Sequence, residues 1–250
     1  SNLVGDFKGL DVSIFAAAEW GENPSALEEA KAAIEKSDII IVNLLFLEDH
    51  IKPILPILKS RRDDCDAMIG VVCDAELVKL TRMGTLDMQA PESGALALLK
   101  KLRGSSKPSS ETGEKKMRML RRLPKILKYI PGKAQDLRAW FLVMQYWLGG
   151  TDENIEAMLR FLISRYSHVD SWQGVSAEPP REYPNVGVYH PNLKGRISEE
   201  LSDLPEVKNP VATIGLLLMR SYVLSGDTAH YDTVISCLLY TSDAADERHC

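Results

Sequence analysis

Apolar residues in the first ninety positions fall into short blocks separated by polar stretches, and the blocks alternate between two spacings. Val12 to Ala17 (VSIFAA) is a brief apolar run bounded by polar residues, the pattern of a buried strand. Ala26, Leu27, Ala30, Ala33 and Ile34 then recur at helical spacing up to Lys36, with Asn23 suited to the N-cap and Pro24 to the first turn. Asp38 to Phe46 (DIIIVNLLF) reads as a second buried strand, which completes a βαβ unit with a parallel sheet and a right-handed crossover. A helix from Glu48 to Arg62, kinked by Pro53 and Pro56, leads into a third strand, Ala67 to Val72. Ala75 to Arg82 and Gly94 to Leu102 look helical. The whole predicts an α/β layer of Rossmann or flavodoxin type over residues 1–103.

Gly104 to Lys115 (GSSKPSSETGEK) breaks this periodicity with the Gly, Ser, Pro and charge of a linker. Residues 116–184 then form a helical region: Met117 to Ile130, Ala134 to Leu148, and Asn154 to Tyr166 with Thr151 or Asp152 as its cap, followed by a polar stretch from Ser167 to Pro184. Val186 to Pro191 and Val211 to Met219 read as strands again, so residues 185–236 are expected to start a second α/β domain. From Cys237 onward, CLLYTSDAADE resembles the translation of a sequencing adaptor. Residues 237–250 are accordingly read as a foreign tail that interrupts a helix running through Tyr231 to Ser236.

Composition narrows the function classes. Hydrophobic residues make up 45% and charged residues 26% of 250, the balance of a globular chain, and no apolar run is long enough to span a bilayer. A net charge of -5 argues against bulk nucleic-acid binding. Ser1 to Leu10 holds no initiator Met and no targeting signal, so the chain reads as beginning in mid-protein. Cys65 and Cys73 lie in apolar surroundings without CxxC spacing and are expected to be buried or free thiols of a reducing compartment.

Candidate chemistry is sparse. The sequence holds no GxxxxGK[ST] loop (Gly132-Lys133 is a superficial likeness), no GxGxxG, no HExxH and no GxSxG. His190 and His230 stand beside predicted element ends, where α/β sites are built, but neither has a second ligand nearby in sequence; Asp227 is expected to cap a helix. No residue is assigned a catalytic or cofactor-binding role, and no metal site is specified. The basic run Lys115 to Lys128, with Met117, Leu120, Ile126 and Leu127 for an apolar face, suits an anionic membrane surface, an acidic partner, or a solvated helix packed on its neighbours. Trp140, Phe141, Tyr146 and Trp147 suit either a wall for a flat tetrapyrrole or core packing; Trp140, Met144 and Trp147 share a helical stripe, which favours the core.

Longer stretches carry more. Ser13 to Ile34 (SIFAAAEWGENPSALEEAKAAI), Ile39 to Ile51, Leu77 to Met88, Ala97 to Pro108, Met119 to Gly150 and Glu182 to Pro191 (EYPNVGVYHP) resemble the large H subunit family of magnesium chelatases. The region from Val186 is also similar to the large subunit of cobaltochelatases. The resemblance implies a porphyrin-binding subunit that takes part in ATP-dependent insertion of Mg²⁺ into protoporphyrin IX for (bacterio)chlorophyll, in a bacterial cytoplasm or a chloroplast stroma. It implies two AAA+ ATPase partners, the I and D subunits, which use the ATP, and catalytic residues in later regions; peripheral rather than transmembrane membrane contact is the expectation from the basic run and the short apolar runs. A non-catalytic α/β docking module is the reading from a different class.

The composition of Gly104 to Lys115 makes it the expected site of first cleavage in limited proteolysis. Protection of that stretch while Ile39 to Leu45 is cut would refute the division.

Overall fold

The computed structural model describes residues 3–90, 122–132, 134–193, 195–206 and 214–246. The expected helix at Gly94 to Leu102, the linker at Gly104 to Lys115 and the first part of the basic run lie outside the described residues. The chain forms two compact units: Ser1–Tyr146 with Glu156–Pro179, and Trp147–Ile155 with Pro180–Cys250.

In the first unit, helices α1 (Leu3–Asp6), α2 (Pro24–Lys36), α3 (Glu48–Ile51), α4 (Leu55–Arg61) and α5 (Ala75–Lys79) surround a four-stranded sheet of order β1-β2-β3-β4. Strands β1 (Ile39–Asn43) and β2 (Ala67–Val71) are parallel and in register from Ile39 opposite Ala67 to Asn43 opposite Val71. Strands β3 (Arg82–Met83) and β4 (Leu86–Asp87) form an antiparallel hairpin on the far edge of β2. The class is mixed α/β.

Local chemistry accounts for the helices. Asn23 Oδ1 accepts from the Ser25 amide at 3.2 Å, satisfying one of the unpaired donors at the start of α2, and Pro24 takes a position that needs none. Pro53 and Pro56 divide the predicted Glu48 to Arg62 helix into α3 and α4, because a proline interrupts the amide ladder. Side chains alternate across β1: Ile40 and Val42 pack with Ile51, Ile54, Leu58, Met68 and Leu77, while Ile39 faces a second cluster of Leu3, Phe7 and Ile163. All five residues of β2 are buried, as expected of a strand covered on both faces.

Three expectations for this unit are corrected. Val12 to Ala17 is not a strand: residues 11–16 are exposed and Ala17–Gly21 turns into a 3₁₀ helix. The run is short and ends in two alanines, which fit a pleated surface poorly. The parallel pair therefore joins β1 and β2 through α3 and α4. The strand expected to reach Phe46 stops at Asn43, because Leu44 adopts a left-handed φ of 53°. The helix expected to reach Arg82 stops at Lys79, since the two-residue Gly84-Thr85 turn, with Gly84 at φ 56°, folds the following residues into the hairpin.

Helix α6 (Ala134–Gly149) packs as the core reading required. Ala139, Val143 and Tyr146 form a buried stripe, and Trp140 and Phe141 are buried on neighbouring faces, whereas Met144 and Trp147 are half-buried. The Trp140 indole donates to the Gly70 carbonyl at 3.1 Å, and the Gly70 amide donates to Thr81 Oγ1 at 3.0 Å. Helix α7 (Asp152–Tyr166) begins behind Thr151, whose hydroxyl accepts from the Asn154 amide at 3.3 Å.

The second unit relies on side chains gripping backbone. Asn154 exchanges two hydrogen bonds with the Arg181 main chain, at 2.9 and 2.8 Å, and the Arg220 guanidinium donates to the carbonyls of Leu148, Tyr183 and Pro184. Helices α8 (Arg220–Ser225) and α9 (Ala229–Asp246) are separated by Gly226 at φ 80°. The strands expected here are corrected too: Val186 to Pro191 makes one bridge, Val188 with Ser198, and residues 214–219 join no ladder among the described residues. Pro184 and Pro191 lack the amides a strand would donate, and Gly215 interrupts the later run.

Gly70 has no room for a side chain, since a Cβ there would lie 2.5 Å from the Leu77 carbonyl oxygen. Gly70→Ala is expected to cost about 1–3 kcal/mol, read as a lower urea midpoint with an unchanged slope. A midpoint equal to that of the unmutated chain would mean that α5 withdraws freely.

Candidate functional site

Ligands of open α/β sheets bind outside the carboxyl ends of the parallel strands, which directs attention to the segments after β1 and β2. Both strands end in a left-handed residue that is not glycine, Leu44 at φ 53° and Val72 at φ 49°. For a β-branched residue such as Val72 this is a strained backbone. The two segments stay paired beyond the sheet, the Leu44 amide donating to the Val72 carbonyl at 2.9 Å and the Asp74 amide to the Leu45 carbonyl at 2.8 Å. Asp74 also caps α5, accepting from the Glu76 amide at 2.8 Å.

The product is an apolar rim. Leu45 and Cys73 turn inward onto the core, while Leu44, Phe46 and Leu47 project into solvent, each more than half exposed. Burial pushes the Cys73 thiol up to about 12, so it stays protonated and unreactive near neutral pH. Such a rim suits apolar contact, and the adjacent Asp74 carboxylate is engaged in capping α5. Nothing in the sequence marked it, because left-handed positions are normally announced by glycine and these are Leu and Val.

The most elaborate polar arrangement of the first unit centres on Asp136, near the start of α6. Its buried carboxylate accepts from the Thr85 amide and hydroxyl, each at 2.8 Å, from Arg165 at 3.1 Å and from the Tyr166 hydroxyl at 2.9 Å. Burial alone would raise its pKa, but the Thr85, Arg165 and Tyr166 donors together hold it below the ordinary carboxylate value. Gly84 makes room for it, since a Cβ there would meet Asp136 Oδ2 at 2.6 Å. The Met83-Gly84-Thr85 run was the available clue to this hairpin. All four donors are protein groups, so the carboxylate is fully engaged in joining the hairpin to α6 and α7.

The two histidines belong to the second unit and make local contacts there. His190 is half-buried and its Nδ1 accepts from the Asn192 amide at 3.1 Å within a local turn. His230 is exposed, edge-on to Tyr222 and beside Tyr231. Thr228 rather than Asp227 directly precedes α9, with its hydroxyl 3.0 Å from Asp232 Oδ2. Among the described residues, no group of three His, Cys, Asp or Glu side chains is placed to hold a metal ion, and no helix is long and apolar enough to cross a membrane.

The depressed pKa of Asp136 has a defined pH signature. Its contribution to stability is present above the unfolded carboxylate value of about 4 and is lost as pH falls through the lower folded value. Asp136→Asn is expected to cost about 1–3 kcal/mol near neutral pH, with the gap to the unmutated chain closing below about pH 4. Denaturation midpoints across pH 7 to 3 check this, and a gap that does not change with pH would remove the carboxylate charge from the account.

Comparison with known proteins agrees with the resemblance read from the sequence. Residues 1–141 match a family model described as a domain of unknown function (DUF3479), and residues 144–241 match one described as CobN/Magnesium Chelatase. The magnesium-chelatase H subunit of Cereibacter sphaeroides is 57% identical over 233 residues, covering 93% of this chain and 20% of that protein. That of Rhodobacter capsulatus is 56% identical over the same length. The chloroplastic magnesium-chelatase subunit ChlH of Oryza sativa subsp. indica is 28% identical over 221 residues, 82% of this chain and 16% of the relative. The chain thus spans about a fifth of the length of the curated relatives that cover most of it. Matched by its family model over residues 1–141 of 250, the chain belongs to the DUF3479 family, and it is a relative of the magnesium-chelatase H subunits.

Proposed function

We propose that this chain is part of the porphyrin-binding H subunit of a magnesium chelatase, which inserts Mg²⁺ into protoporphyrin IX on the route to (bacterio)chlorophyll. The observation that carries the reading is 57% identity across 93% of the chain to a protein of that name. Mg²⁺ and protoporphyrin IX are the substrates. Insertion requires Mg²⁺ to shed tightly held waters while two pyrrole protons leave, so ring and metal must be held together in a site that excludes water. ATP is consumed by the AAA+ partners, the I and D subunits; this chain carries no phosphate loop in its sequence. The setting is a phototroph's cytoplasm or a chloroplast stroma.

No catalytic residue is assigned to this chain. Asp136 is engaged by four protein donors, and His190 and His230 make local contacts. The parallel β1 and β2 pair with its helical connection supports a Rossmann or flavodoxin-like first region. The linker at 104–115 and the foreign origin of 237–250 belong to the same reading. A cobaltochelatase-type large subunit is the second reading, favoured by the family model over residues 144–241; a non-catalytic docking module is the third.

Supplied with protoporphyrin IX, Mg²⁺, ATP and both ATPase partners, the 250-residue chain should yield no magnesium protoporphyrin above the no-protein rate, whereas the longer subunit should. Turnover by this chain alone would place the chemistry here. Cobalt insertion in place of magnesium by the longer subunit would favour the second reading.

A further inference from the structure

The end of the basic run has an unusual distribution of side chains. Its backbone is helical over 122–127 and is fastened to α6 by Arg138 Nε, which donates to the Pro124 carbonyl at 3.0 Å, and by Gln135 Nε2, which donates to the Leu127 carbonyl at 2.9 Å. Pro124 and Leu127 are buried beneath it. An amphipathic helix of a globular protein normally has one apolar face, turned inward. Here a second apolar set faces out: Ile126 is 60% exposed, Tyr129 83% and Ile130 46%. They are interleaved with exposed Arg122, Lys125 and Lys128, and residues 122–130 contain no Asp or Glu.

We infer that residues 122–130 form a docking surface for an anionic lipid bilayer, with Ile126, Tyr129 and Ile130 entering the headgroup boundary and Arg122, Lys125 and Lys128 pairing with lipid phosphates. Charge complementarity selects a negatively charged surface, since basic side chains beside a membrane gain most from anionic lipids. The apolar residues select a bilayer over an acidic polypeptide. Side chains exposed to this degree stand proud of the surface; a lipid interface accepts them without a matching pocket, and tyrosine and lysine hold their polar ends at the headgroups. A free porphyrin would need a concave site that encloses most of its surface, which is the opposite geometry. The docking surface does not depend on the chelatase reading.

The test is co-sedimentation of the 250-residue chain with vesicles of phosphatidylglycerol and phosphatidylcholine in equal parts, against vesicles of phosphatidylcholine alone. Binding should favour the anionic vesicles and weaken as salt is raised. Lys125→Gln with Lys128→Gln should reduce partitioning about thirtyfold, and Ile126→Ser with Tyr129→Ser should reduce it at unchanged charge. These side chains are exposed, so circular dichroism of both variants should match the unmutated chain. Failure to bind anionic vesicles would overturn the inference, as would binding that survives both double substitutions. Polyglutamate capture that competes fully with vesicles and ignores Ile126→Ser with Tyr129→Ser would assign the surface to an acidic partner instead.

Discussion

The first unit is organised around the absence of a side chain at Gly70. That residue lies in the middle of the one strand buried on both faces, and its bare Cα lets the α5 backbone approach to a distance no other residue permits. Its carbonyl and amide then become accessible to side chains: the Trp140 indole takes the first and Thr81 the second. A buried peptide group left unpaired costs as much as a lost hydrogen bond, so these two contacts stand in for a ladder that β3, only two residues long, does not carry this far. The largest fully buried side chain of the unit is thereby placed by a backbone atom of its central strand.

Around this contact, charge serves cohesion. Asp136 joins the β3–β4 turn to α6 and α7, and buried Arg62 pairs with Asp87 while donating to the Leu80 carbonyl at 3.1 Å. Removing one partner from such a buried set leaves the other desolvated and unpaired, which makes these groups fixed components of the fold. Their engagement commits these charged groups to holding the first unit together. The exposed features differ in kind: an apolar rim beyond the parallel strands, and a basic apolar helix end.

Much of this was legible wherever the rule was local. Asn23 and Pro24 announced the start of α2, Thr151 that of α7, and the apolar runs at Ile39 and Ala67 the two parallel strands, because capping and burial leave marks on a single stretch of sequence. Trp140, Phe141 and Tyr146 were legible as core, although the stripe expected through Met144 and Trp147 is only half-buried. Illegible features depended on partners far along the chain. Val12 to Ala17 has the apolar run of a strand but, among the described residues, no strand beside it. The Asp136 arrangement draws together Thr85, Arg165 and Tyr166, which no spacing rule connects. The left-handed Leu44 and Val72 contradict their own residue preferences, so no local rule finds them. The family relationship was legible through resemblance over long stretches, since no short motif carried it.

The two family models meet between residues 141 and 144, inside the uninterrupted helix α6. A junction of modules is usually a loop, which tolerates a gained or lost residue. A helix does not: each added residue advances the chain by about 1.5 Å and turns everything after it by about 100°. One residue inserted at this seam would carry Tyr146 off the stripe it shares with Ala139. Segments exchanged between relatives at this seam must therefore preserve rotational phase as well as sequence, so the two families can vary in their loops while the length across their junction stays locked.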